Sequence, residues 1–161
     1  MINYTSNTVQ VHIAAYFEEF MEYKYLLLKR STKVKVYPGI WQVITGTIEG
    51  DETAVAAALR ETYEEIGGNP LRMWSLPYVT QFFSPADNTI HSSPVFGMLI
   101  DSNIPIKLSK EHEKYEWLHL ELALAKLPLP SHREAAGIFY EYILSADNTH
   151  LFELNLNDYL N

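Results

Sequence analysis

Glu61, Glu64 and Glu65 stand at i, i+3 and i+4 in this 161-residue chain, the spacing that sets three side chains together on one face of an α-helix. Carboxylates so placed repel one another, by roughly 0.2–0.5 kcal/mol per pair on an exposed helix. A divalent cation removes that repulsion, and a set of oxygen donors suits hard ions such as Mg²⁺ or Mn²⁺. An ion held there can clamp a diphosphate and activate a water, which is hydrolysis at phosphorus. A lone Glu-Glu pair would read as a solvated acidic face. The two carboxylates of a glycosidase stand on opposite sides of a cleft, whereas three on one helical face point to metal.

A helix must carry them, and residues 51–66 read as the strongest helix in the chain. Thr53 or Asp51 can cap its start, the run from Ala54 to Leu59 favours helix, and Gly67-Gly68 stops it. Val55, Ala58, Leu59, Thr62 and Ile66 share one stripe and are expected to face the core. The glutamates adjoin that stripe. Ala54 and Ala57 share the glutamate face one to two turns earlier and are expected to leave room beside a metal–diphosphate complex.

Around this helix, residues 9–17, 23–29, 41–45, 71–83, 95–100 and 115–118 read as strands, with 71–83 bent at Pro77. Pro38-Gly39 marks a loop, and 84–93 reads as another, polar one. Residues 121–127 form a short predicted helix stopped by Pro128. Ser131 with Glu134 three residues later is a capping-box pattern opening a helix to about residue 144. Strands around a central helix, with short hairpin connections at the start, predict an α/β fold: a mixed sheet with helices on its faces.

The wider spacing carries a resemblance. Gly46, five residues, Glu52, seven residues, then Arg60-Glu61-Thr62-Tyr63-Glu64-Glu65-Ile66-Gly67 resembles the Nudix box, G-x5-E-x7-R-E-U-x-E-E-x-G-U, with U a bulky aliphatic. All seven invariant letters match, which at ordinary residue frequencies happens by chance on the order of once in 10⁸ start positions. Thr62 and Gly68 stand where the pattern has an aliphatic. The resemblance implies an α/β/α sandwich with a mixed central sheet, a single domain over 1–161 with its box at 46–68, and a Mg²⁺-dependent hydrolase (Mn²⁺ substituting). It implies that Glu61, Glu64 and Glu65 hold the metal, often with the Gly46 carbonyl, and that Arg60 and Glu52 form a supporting ion pair. The catalytic base is a box glutamate, here Glu61, in some members and a later carboxylate in others. The segment Ser109-Lys110-Glu111-His112-Glu113-Lys114-Tyr115-Glu116-Trp117-Leu118 resembles that of dihydroneopterin triphosphate and dATP pyrophosphohydrolases, where a Glu-His pair precedes Tyr-x-Trp-Leu. That makes Glu111 the candidate extra ligand or base and Glu113 its rival.

Trp41-Gln42-Val43-Ile44-Thr45-Gly46 resembles the same group, which favours a nucleoside or pterin triphosphate over a dinucleoside polyphosphate or a nucleotide sugar. A planar base wants an aromatic face, for which Trp41, Phe82, Phe83 and Trp117 are candidates, although each taken singly reads more readily as core packing. Lys29 and Arg30 can touch phosphates, and Gln42 can touch the substrate. His91, His112 and His132 read as solvent-facing or supporting residues. The intact carboxylate set speaks against a module that binds a nucleotide without cleaving it.

The remaining numbers bound the setting. A formal charge of −8 argues against broad nucleic-acid binding, and zero cysteines remove disulfides and thiolate metal sites. The chain shows neither a signal-peptide pattern nor an apolar run of the ~18 residues that a membrane helix needs, so the expectation is a cytoplasmic protein, monomer or homodimer.

Overall fold

The structure is a computed structural model that describes residues 1–146 and 149–160. One mixed sheet runs through it. Its strands are β1 (Asn3–Thr5), β2 (Thr8–Phe17), β3 (Glu22–Arg30), β4 (Trp41–Gln42), β5 (Ile44–Thr47), β6 (Arg72–Ser84), β7 (Thr89–Leu99), β8 (His112–Leu118) and β9 (Glu153–Leu154). The main path is β4-β3-β2-β7-β6-β9, with β1 added to β7, β5 to β2 and β8 to β3. β2 and β7 are parallel, Gln10 opposite Val95, while β2 meets β3 and β5 antiparallel. β2 is thus the hub, and it sets Gly46 of β5 opposite Val9.

Period-two alternation splits the core. Val9, Val11, Ile13, Leu26 and Leu28 face α1 (Ala54–Ile66) on one side. Ala14, Tyr25, Leu27, Trp74 and Val95 face α2 (Leu120–Lys126) and α3 (Pro130–Phe139) on the other. Helices on both faces of a mixed sheet are the expected α/β/α sandwich. The second layer sits so close that a Cβ on Gly97 would lie 2.4 Å from the Phe139 ring.

Several local expectations change. α1 starts at Ala54, capped by Thr53, whose hydroxyl accepts from the Ala56 N–H, so Asp51 lies outside it. Gly67 ends it at φ 72°, a left-handed conformation natural to glycine. Ala57 is fully buried in the core, so it leaves no open space beside the glutamates. Both departures from the box are packed: the Thr62 hydroxyl bonds the Ala58 carbonyl at 2.8 Å, and a Cβ on Gly68 would meet Ile104 at 2.5 Å. The expected loop over 84–93 is mostly strand. β6 and β7 form a hairpin in which Ser84 pairs with Thr89, and Ser93 near its base lines a cleft. Residues 41–45 split into β4 and β5 on different partners, with Val43 buried between them. Ser131 caps nothing: Pro130 occupies the first turn of α3, which follows Leu129 without a side-chain cap. Beyond Phe139 the chain continues as a π-helical turn, Tyr140–Leu144.

His12 and His132 are buried on the α2–α3 side of the sheet. Burial, with the neighbouring His132, pushes His12 down to about 3, and burial pushes His132 down to about 4. Both are therefore neutral when folded and protonate on unfolding in mild acid. Their stabilisation is complete above pH ~6.5 and is lost as pH falls towards the folded values, amounting to a few kcal/mol by pH ~4. A melting series from pH 7.5 to 4 should fall steeply below 6.5, and a flat series would contradict the burial of these rings.

Candidate active site

Arg60, one residue before the first glutamate, organises the others. Its Nε and Nη2 fork onto Glu52 at 3.2 and 2.6 Å, Nη2 also donates to the Thr47 carbonyl at 2.8 Å, and Nη1 donates to Glu61 at 2.9 Å and Glu64 at 3.4 Å. Hydrogen bonding to Arg60 holds Glu52 below the usual carboxylate range and raises Arg60 in turn, chiefly through Glu52. The pairing implied by the resemblance is present, and the guanidinium ties the loop before α1 to the glutamate face.

The three glutamates sit in three environments. Burial pushes Glu61 above the usual range despite the pull of Arg60, and its side chain lies where Gly46 leaves room, since a Cβ there would come within 2.1 Å of Glu61 Cδ. Glu64 is half exposed. Glu65 is buried, which acts to raise it, but hydrogen bonds from His112 Nδ1 and Ser109, both at 2.6 Å, outweigh burial and hold it low. Gly46→Ala would drive Glu61 out of its position. Turnover is expected to drop ~10²-fold, as misplacement by about 1 Å can cause. Steady-state kinetics beside a melting curve checks this, and wild-type turnover would show that Glu61 is not held by that gap.

His112 is the residue the sequence undervalued. It is buried, not solvent-facing; its Nδ1–H donates to Glu65 and its Nε2 accepts from the Gln42 amide at 2.9 Å. Glu65 and His112 are 47 residues apart, so only the pairing of β8 with β3 brings them together. The one visible hint was the Glu-His pair ahead of the β8 alternation.

Gln42 opens onto a cleft of about 540 Å³. Arg30, Phe82 and Phe83 line it, as do Gln10 and His132, neither of which the sequence had placed at a site. Arg30 Nε donates to the Val36 carbonyl, and its Nη1 lies 3.7 Å from Glu111. Glu111 is otherwise exposed, and its N–H donates to the same Ser109 hydroxyl that bonds Glu65. Lys29 instead pairs with Glu113 at 2.8 Å, a partnership that depresses Glu113. Trp41 lies under Lys126, whose ammonium is 4.2 Å from the ring centre, and Trp117 packs edge-on against Phe17; neither lines the cleft. Phe82 stacks on His91. Among the described residues, no three His, Asp or Glu side chains already converge at metal-ligand distance.

A mixed sheet carrying a glutamate helix, with an open cleft reached through Gln42 and His112 from Glu65, is the setting of a hydrolase of pyrophosphate bonds. A family model described as NUDIX domain matches residues 8–141, and the chain belongs to the Nudix family, whose members generally use divalent cations. A Nudix hydrolase structure from Listeria monocytogenes superposes with a TM-score of 0.71 at 24% identity, covering 85% of this chain and 93% of that one. The E. coli dihydroneopterin triphosphate pyrophosphohydrolase gives 0.70 at 23% identity (91% and 100% covered), and a C. elegans Ap4A hydrolase complex gives 0.69 at 16% (88% and 100% covered). Scores this close show the shared fold and do not rank substrates. A Myxococcus xanthus octanoyltransferase is 30% identical over 97 residues, which are 60% of this chain and 27% of that protein. The chain thus matches about a quarter of that relative's length, and an activity named for the whole does not follow from the shared part. No described helix is long and apolar enough to cross a membrane.

Proposed function

We propose that this chain hydrolyses a diphosphate bond in a nucleoside or pterin triphosphate, with Mg²⁺ as its cation. The observation that carries the reading is the fan of Arg60, which holds Glu52, Glu61 and Glu64 in one network on the open face of α1. The donor set fits a hard divalent ion: it is all carboxylate, and Glu61 is desolvated in a gap that any side chain at position 46 would fill. Glu61, Glu64 and Glu65, with the Gly46 carbonyl, would hold the ion, which when bound would neutralise phosphate charge and acidify a water.

The chain's own groups do the rest. Ser109 and His112 restrain one oxygen of Glu65. Arg30, between the cleft and Glu111, is proposed to bind the phosphates, while Gln42 and Phe83 contact the base. Glu111, whose carboxylate has Arg30 at 3.7 Å as its one ion pair among the described residues, is proposed to accept the proton of the attacking water. The test is a panel of dNTPs, dihydroneopterin triphosphate, nucleotide sugars and dinucleoside polyphosphates, with and without Mg²⁺, products identified by mass. Cation-dependent cleavage of a triphosphate is expected. Preference for a dinucleoside polyphosphate or a nucleotide sugar would overturn the substrate class. Silence across the panel, with ligands still raising the melting temperature, would show a binding module.

A further inference from the structure

Gln10 is buried in β2, lines the cleft, and has its amide orientation locked. Its Nε2 donates to His12 Nε2 at 2.8 Å and to the Ser131 carbonyl at 3.4 Å, which uses both amide hydrogens. A flipped amide would set its oxygen against that carbonyl, so the network itself assigns nitrogen and oxygen. Among the described residues nothing donates to Gln10 Oε1, so what Gln10 offers a ligand is an acceptor alone. His12 is sealed and neutral, and facing the Gln10 amide nitrogen its Nε2 is the acceptor, which places the ring hydrogen on Nδ1, an atom with no partner among the described residues. Beside it in the wall, His132 is 4% exposed and its Nδ1 has no partner among the described residues. A buried polar atom without a partner in a cleft wall marks a place where a ligand or water completes the hydrogen bonding.

Resting on the nucleotide-hydrolase reading above, we infer that Gln10 is a specificity residue that reads an exocyclic amino group on the heterocycle, with His12 as the residue that positions it. The substrate class is then an amino-bearing base, such as an adenine, guanine or 2-aminopterin, rather than its oxo or deaminated counterpart. A 6-oxo group at this point would face Oε1 with a second acceptor, and a bare C–H would leave Oε1 buried without a donor. Either loss in a buried site typically costs about one to two orders of magnitude in affinity.

Titration calorimetry with AMP, GMP and IMP tests this without turnover, because monophosphates lack the bond that is cleaved. At least one of AMP and GMP should bind ~10-fold or more tightly than IMP. Gln10→Leu should shrink that ratio to about threefold or less. His12→Phe should shrink it too although Gln10 is present, because the freed amide can rotate; a merely structural role would weaken all three ligands alike. The inference is overturned if IMP binds as tightly as both amino nucleotides, if none of the three binds in the millimolar range, or if folded Gln10→Leu keeps the wild-type ratio. Hydrolysis of ATP and ITP with Mg²⁺, measured separately, distinguishes the failures: turnover without amino preference sinks only the inference, whereas absence of turnover on the whole panel sinks the hydrolase reading.

Discussion

Glu64→Gln is expected to lower turnover by ~10²–10⁴ with saturating cation, while the melting temperature barely moves. The two halves of that expectation have separate causes. Glu64 is 54% exposed and its one described ion pair, to Arg60, is long at 3.4 Å, so it contributes little to folding. Its freedom is the functional point. Glu61 is committed to Arg60 and Glu65 to His112 and Ser109, which leaves Glu64 as the carboxylate most able to turn towards a cation. An amide oxygen is neutral and a far weaker ligand. Steady-state kinetics across a Mg²⁺ titration reads the effect, and a variant with wild-type kcat would remove Glu64 from the metal site.

Phe139→Ala carries the largest expected loss of stability, about 3–5 kcal/mol, the range for deleting a buried aromatic ring. For a chain of this size that lowers Tm by roughly 6–20 °C. Phe139 is fully buried, edge-on to Tyr25 with centroids 6.0 Å apart, tilted against Trp74 at 6.1 Å, and seated directly on Gly97. No side chain rises from position 97 to fill the void. Gly97→Ala alone should cost about 1–3 kcal/mol, because its methyl would collide with the ring. In the Phe139→Ala background the same methyl enters the cavity and should be neutral or stabilising. Denaturant melts of the four proteins measure that coupling. Additive losses would mean that ring and glycine do not share the space.

The glutamate helix was legible because its information is local. Spacing at i, i+3 and i+4, a glycine stop and strong helix formers all act within one element, so α1 and its core stripe could be derived from residues close in the chain, while the Arg60–Glu52 partnership was implied by the resemblance of the box. The longer strands of the sheet were legible for the same reason, as β-branched, aromatic and aliphatic residues cluster along β2, β3 and β7. Expectations failed where neighbours in space outweighed neighbours in sequence. Residues 84–93 looked like a loop because they are polar, yet most pair as strand, since β6 and β7 supply each other's backbone partners from Thr80–Ser93 to Ser84–Thr89. Ala57 looked open beside the glutamates, yet the sheet covers it. Ser131 had a capping sequence, but Pro130 had already started the helix.

The sequence by itself determined that three carboxylates share one helical face, and with them the kind of ion and bond they suit. Tertiary structure decided what each carboxylate is free to do. Glu65 is tied to His112 and Glu61 is desolvated against Gly46 because β8 and β5 are laid beside their partners by long-range pairing. It also decided the cleft, where β2, β4 and the start of α3 bring Gln10, Gln42 and His132 into one wall. Helical spacing is a property of the chain, whereas burial and hydrogen-bond partnership depend on which distant strands come together.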